Sequence, residues 1–179
     1  MSYTKLKPPI YDPEAVQPMR DELVYVGFKE LTSPELVEKE LSLNDDKTTL
    51  LMINSVCGCA AGSARPGVTH ALQNEIIPDR FSTVFAGQDR DAVDFLRMKY
   101  LEKFPPSSPS IALFKNGRVV NMLQRFDIEG KSPAEVAGML IDIFNKNCSN
   151  KGPSIPEEAY AKLVHARACG SKIPLNDVS

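Results

Sequence analysis

The 179-residue sequence lacks an excess of charge of either sign: 21 Lys and Arg stand against 23 Asp and Glu, for a formal net charge of −2. The basic residues are scattered rather than clustered, which excludes the field expected of a nucleic-acid or anionic-membrane binder. The opening stretch MSYTKLKPPIYDPEAV has no apolar core of the signal-peptide kind, and no apolar run approaches the length needed to cross a bilayer. Repeats and low-complexity tracts are missing too. The sequence is therefore read as one soluble, cytoplasmic domain with appendages, having no nucleic-acid or membrane partner. Cysteine is scarce, with four in the chain. In a reducing compartment that number argues against a disulfide framework, so a close pair points to catalysis or metal binding.

Such a pair exists. In Asn54 to Gly62, NSVCGCAAG, Cys57 and Cys59 flank Gly58 where an apolar run gives way to an alanine-rich one. The surrounding pattern places it. Asp12 and Pro13 mark the start of a helix carrying Val16, Met19, Leu23 and Val26, which either kinks or begins at Pro18. Ser33 and Pro34 open a second helix with Leu36, Val37 and Leu41. Thr48 to Val56 is a continuous apolar run, as for a central strand covered on both faces. Behind the CGC comes a helical pattern through Ile76, bent at Pro66. Phe81 to Ala86 reads as a second strand, parallel to the first. Asp89 is placed as the cap of a helix reaching Phe104. Asn116-Gly117 joins an antiparallel hairpin, Ser110 to Lys115 with Arg118 to Gln124. Ser132, Pro133 and Glu135 begin a last amphipathic helix ending near Cys148. After Ser149 one helix, Pro156 to Ala168, and a mobile end are expected.

On this map Cys57 ends the central strand, Gly58 turns, and Cys59 enters the first turn of a helix. Free N–H groups and the helix dipole favour an anion there, so a thiol ionises more readily than in water. Only the thiolate attacks a disulfide. The nearest cation in sequence is Arg65, about two turns along, which leaves most of the activation to the helix terminus. Cysteines at i and i+2 close only a small strained ring, which makes their disulfide oxidising, and Gly58 best tolerates that backbone. Cys57 is then the nucleophile and Cys59 the resolving thiol. Three readings compete: two small buried hydrophobes, a zinc or iron–sulfur site recruiting Cys148, Cys169 and the histidines, and a hydrolytic cysteine with His70 or His165. The metal reading needs ligands from distant segments, and neither histidine has a protease-like context. His70 reads as an ordinary exposed histidine, and Cys148, at a helix C-terminus, as unreactive.

The stretches NSVCGCAAGSARP, VFAGQDRDA, PPSSPS and VQPMRDEL, in this order apart from the last, which comes first, resemble the bacilliredoxin family over about Pro13 to Cys148. The resemblance implies an α/β, thioredoxin-like fold: a central mixed four-stranded sheet flanked by helices, with extra N-terminal helices. It divides the chain into a domain at 1–148 and a C-terminal extension at 149–179. It implies Cys57 as attacking thiolate, Cys59 as second thiol, and Pro109 as a cis-proline facing them, with Ser108 beside it for substrate. Gly58 and Arg65 are supporting residues. It further implies S-thiolated client proteins as substrates, bacillithiol or an equivalent low-molecular-weight thiol as co-substrate, no tightly bound cofactor and no metal. General protein disulfide isomerisation is the alternative activity, and a metal-binding or redox-sensing module without turnover the alternative of another class.

Overall fold

The computed structural model describes residues 6–175. The chain runs through α1 (Pro13–Tyr25), β1 (Lys29–Glu30), α2 (Pro34–Leu41), β2 (Thr48–Asn54), a π-helical stretch (Ala60–Ala64) continuing into α3 (Arg65–Ala71), β3 (Ile76–Ile77), β4 (Arg80–Phe85), α4 (Arg90–Lys99), β5 (Ser110–Lys115), β6 (Arg118–Leu123), α5 (Arg125–Ile128), α6 (Pro133–Asn147), β7 (Asn150–Lys151) and α7 (Glu157–Cys169).

Every residue of β2 is buried, as its unbroken apolar run dictates. Side chains alternate between faces, so Leu50 and Met52 join a core with α1, α3 and α6, while Leu51 and Ile53 join another with α2 and α4. β2 pairs in parallel with β4 and antiparallel with β5, and β5 forms a hairpin with β6. Asn116 and Gly117 turn that hairpin with φ of 51° and 73°, the paired positive values such a two-residue turn requires.

The sheet order is β1-β4-β2-β5-β6, five strands rather than the four expected. The added strand, β1, is two charged residues paired in parallel to Ser82 and Thr83 at the edge, too short and too polar to announce itself. Helices on both faces of this mixed sheet complete an α/β, thioredoxin-like fold.

Several local expectations hold and others shift. Asp12 accepts from the N–H of Glu14 and α1 starts at Pro13, passing through Pro18. Ser132 and Glu135 form their reciprocal cap. Asp89 precedes α4, but its carboxylate accepts from Phe85 N–H at 2.9 Å and from Arg20 instead of capping the helix. That helix stops at Lys99, and Tyr100 and Phe104 pack against the core from the following loop. At Pro66 the helix does not merely bend: the residues before it are wound one residue wide, with Arg65 N–H bonded to Ala60 O.

Beyond α6, β7 pairs with β3, and α7 buries Ala159, Leu163 and Ala166. Tyr25 donates its hydroxyl to Ala159 O at 2.7 Å. The expected mobile end falls partly on residues 176–179, outside the described residues. α3 lies close on α6 at Gly67, where a Cβ would come within 2.6 Å of Val136.

Candidate active site

β2 ends at Asn54, two residues before the expected strand end, because the Asn54 side chain takes over the local bonding. Its Oδ1 accepts from Ser55 N–H at 2.8 Å and from Arg65, and its Nδ2 donates to Met19 O. Cys57 consequently belongs to the helix rather than the strand. Its carbonyl accepts from Ala60 and Ala61 N–H at 3.1 and 3.2 Å, and Gly58 and Cys59 are already helical. Cys57 thus stands immediately before the first helical turn, where the Ala60 N–H favours its anion.

The two thiols lie 2.9 Å apart, both free and both partly exposed. Partial burial opposes ionisation of Cys57. The Cys59 thiol, the Ser55 hydroxyl, the Ala60 N–H and the charge of Arg125 together outweigh it and hold Cys57 below the ordinary thiol range. Cys59 moves the other way: burial, then the proton shared with Cys57 and the negative charge of that neighbour, push it up against the pull of Arg125. One sulfur is thus prepared to be an anion, and its partner to hold a proton.

Arg125 was not among the residues singled out by sequence. It opens α5, donates its backbone N–H to Ser107 Oγ at 2.8 Å, and lies 3.8 Å from Glu129. It lies 66 positions beyond Cys59 in sequence, and only the tertiary fold brings its charge to bear on the thiols. Arg65, by contrast, is where its spacing put it on the helix; it is 2% accessible and reaches back to the strand end. Its NH1 donates to Asn54 Oδ1 at 3.0 Å and Ser55 O at 2.8 Å, while its Nε lies 3.4 Å from Glu22, poorly aligned for a hydrogen bond. Gly58 lies outside the left-handed region, and a Cβ there meets nothing within 4 Å.

The Ser108–Pro109 peptide is cis, and Pro109 is buried. Ser108 lines an open cavity of about 540 Å³ with Arg97, Ser107, Gln124, Arg125 and Phe126. Arg125 therefore lines this cavity, and its charge acts on both thiols. The remaining candidates are elsewhere. Burial pushes the half-buried Cys148 up, Cys169 is exposed with its sulfur 3.8 Å from the His165 ring, and His70 is exposed beside Tyr160. Among the described residues no three His, Cys, Asp or Glu side chains converge as a metal site. No helix among them is long and apolar enough to cross a membrane.

The directions of these shifts order the thiols. Below the ordinary thiol range Cys57 is already deprotonated to a greater extent than a free cysteine, while Cys59 and Cys148 are less so. Timed alkylation near pH 7, read by peptide mass, is expected to label Cys57 first, and Cys59 and Cys148 more slowly than an unstructured cysteine peptide. Faster labelling of Cys59 than of Cys57 would reverse the assignment.

Residues 11–148 match the model of the family described as "Disulphide isomerase". A bacilliredoxin of Salinibacter ruber is 46% identical over 152 residues, covering 85% of this chain and 87% of its own length. One of Bacillus thuringiensis is 47% identical over 135 residues (75% and 92%), and one of Staphylococcus aureus 46% over 142 residues (79% and 96%). Among solved structures, mitochondrial thioredoxin 3 of Saccharomyces cerevisiae aligns with a TM-score of 0.46 at 17% identity, covering 68% of this chain and 97% of that one. Thioredoxin f of spinach chloroplast aligns with a TM-score of 0.47 at 14% identity, covering 72% and 93%.

Proposed function

The chain belongs to the bacilliredoxin family and is a thiol–disulfide oxidoreductase, and from that premise we propose that it releases a low-molecular-weight thiol, bacillithiol or its equivalent, from mixed disulfides on cytoplasmic client proteins. Cys57 is the nucleophile and Cys59 the resolving thiol. The observation that supports this most is the opposite disposition of two adjacent sulfurs at a helix N-terminus, Cys57 toward the thiolate and Cys59 toward the thiol.

In the first step the Cys57 thiolate attacks the small-thiol sulfur of the mixed disulfide. The old S–S bond breaks, the client cysteine departs as a thiolate and takes up a proton from water, and the small thiol is left on Cys57. In the second step Cys59 loses its proton and attacks Cys57 Sγ, expelling the small thiol as thiolate and closing the Cys57–Cys59 bridge. Alternatively, a second small thiol attacks and leaves as the symmetric disulfide. The first route needs a dithiol or two monothiols to return the enzyme to its reduced form. The thiols carry the electrons themselves, so no bound cofactor is required. Gly58 serves the closing of the bridge, Arg65 holds the strand end behind Cys57, and the Ser108–Pro109 segment receives the client backbone.

The test is a client protein carrying bacillithiol on one cysteine, followed by mass, beside the same client carrying glutathione. Faster release from the bacillithiolated client supports the reading. Equal rates would make the small thiol a bystander, and release of neither would reject de-thiolation. The matched family description favours one second activity, disulfide isomerisation. Recovery of activity in a client refolded with scrambled disulfides would reveal it.

A further inference from the structure

Behind the thiols lies a charge cluster, buried at Arg65 and part-buried at Glu22 and Arg167, that spans three helices and extends outside residues 11–148. Glu22, on α1, is shared between two arginines: its Oε1 lies 3.4 Å from Arg65 Nε, and its Oε2 accepts from Arg167 Nε at 3.3 Å. Arg167, on α7, also donates through NH2 to Thr69 Oγ1 at 3.0 Å, a fully buried hydroxyl beside which Tyr160 packs. From Arg65 the contacts run on to Ser55 O, and the Ser55 hydroxyl accepts the N–H of Cys57 at 3.1 Å. Arg65 also lies within the field of the Cys57 sulfur.

The arithmetic of charge gives this arrangement a meaning. One carboxylate and one guanidinium make a neutral pair, whose field on a nearby anion is only that of a dipole. With Arg167 on the second oxygen the cluster is one carboxylate and two guanidiniums, a surplus of one positive charge in a part-buried setting that salt screens less than it would an exposed one. We infer that Arg167 is a positioning residue of the redox site: it holds the far oxygen of Glu22, leaves Arg65 incompletely neutralised, and keeps that guanidinium fixed against Ser55 directly behind Cys57. The helix beyond the family-matched segment is thereby part of the machinery that activates the nucleophile.

The inference rests on Cys57 being the nucleophile, and the experiment separates the two. The titratable and charged groups facing Cys57 are the Cys59 thiol and Arg125, the latter near Glu129, with Arg65, Glu22 and Arg167 behind. Iodoacetamide labelling of Cys57 is timed across pH in the full reduced chain, alongside urea unfolding. Arg167→Gln is expected to slow labelling at neutral pH by about threefold, because the cluster becomes neutral. Glu22→Gln is expected to accelerate it, because two positive charges remain, and the double variant to return toward the wild-type rate. Opposite signs from two variants that each remove one partner of the same ion pair are not produced by loosened packing. A wild-type profile like that of a free cysteine would overturn the nucleophile reading and this one with it. A lowered wild-type profile left unmoved in Arg167→Gln, or shifted the same way in both single variants, would overturn this inference alone. If Arg167→Gln does not fold, the direction of the Glu22→Gln shift decides.

Discussion

Replacing Cys57 with serine is expected to abolish release of the small thiol, lowering turnover by at least about a thousandfold, because a hydroxyl at neutral pH supplies almost no anion and oxygen does not exchange with disulfide sulfur. The fold is expected to survive unharmed. Residue 57 stands immediately before the helix, holding it through its backbone carbonyl, which accepts from Ala60 and Ala61 N–H, and serine is well tolerated at such a position. Urea unfolding of Cys57→Ser at or above the wild-type midpoint, together with lost activity, separates chemistry from structure. Cys59→Ser is the informative companion. It keeps the attacking thiolate and removes the resolving group, so one equivalent of client is released and the small thiol stays on Cys57 as a measurable mass increment. In the wild-type protein the pH profile of the first step rises as Cys57 loses its proton and levels off at a lower pH than for a free cysteine, since the folded site favours the anion. Undiminished turnover in Cys57→Ser would move the nucleophile elsewhere.

The second large effect is on stability. Arg65→Leu removes the shared partner of Asn54 Oδ1, Ser55 O and Glu22 from a site that water does not reach. Breaking a buried ion pair from one side costs about 3–5 kcal/mol, because the acceptors left behind lose their donor without regaining solvent. Glu22 retains Arg167 and so loses only part of its compensation, which places the expected loss toward the lower end of that range. Arg65→Lys is expected to recover little of it, since an ammonium cannot reproduce two forked bonds together with contact to a carboxylate on another helix. Urea midpoints with an unchanged slope check both variants. A loss below about 1 kcal/mol for Arg65→Leu would show that solvent or rearrangement satisfies these groups.

How much was legible in the sequence depended on whether local chemistry or tertiary placement decided the matter. β2 was readable because seven consecutive buried residues leave their signature in composition, and the β5–β6 hairpin because Asn116-Gly117 alone supplies two positive φ values cheaply. The caps at Asp12 and Ser132 were readable for the same local reason. β1 was not: two charged residues carry no period, and only the edge of β4 makes a strand of them. Asp89 misled because an aspartate before a helix normally caps it, whereas here Arg20 and the N–H of Phe85 compete successfully for its oxygens. At the site, the cysteine pair and its helix were evident from CGC before an alanine-rich stretch. Arg125 left no trace, since a lone arginine following a strand looks like any surface charge until α5 is folded against Ser107. The Arg167 contact was equally invisible, being made across 145 positions of sequence.

The contact at Gly67 bears on which part of the molecule is free to move when the sulfur bridge forms. With the backbone of α3 pressed against Val136 so closely that one methyl group would not fit, the redox helix has no slack to pivot or slide on its support. Making and breaking the sulfur bridge is then expected to be absorbed within the three residues that carry it. The reduced and bridged forms are then expected to share one platform and to differ in a few atoms at its tip.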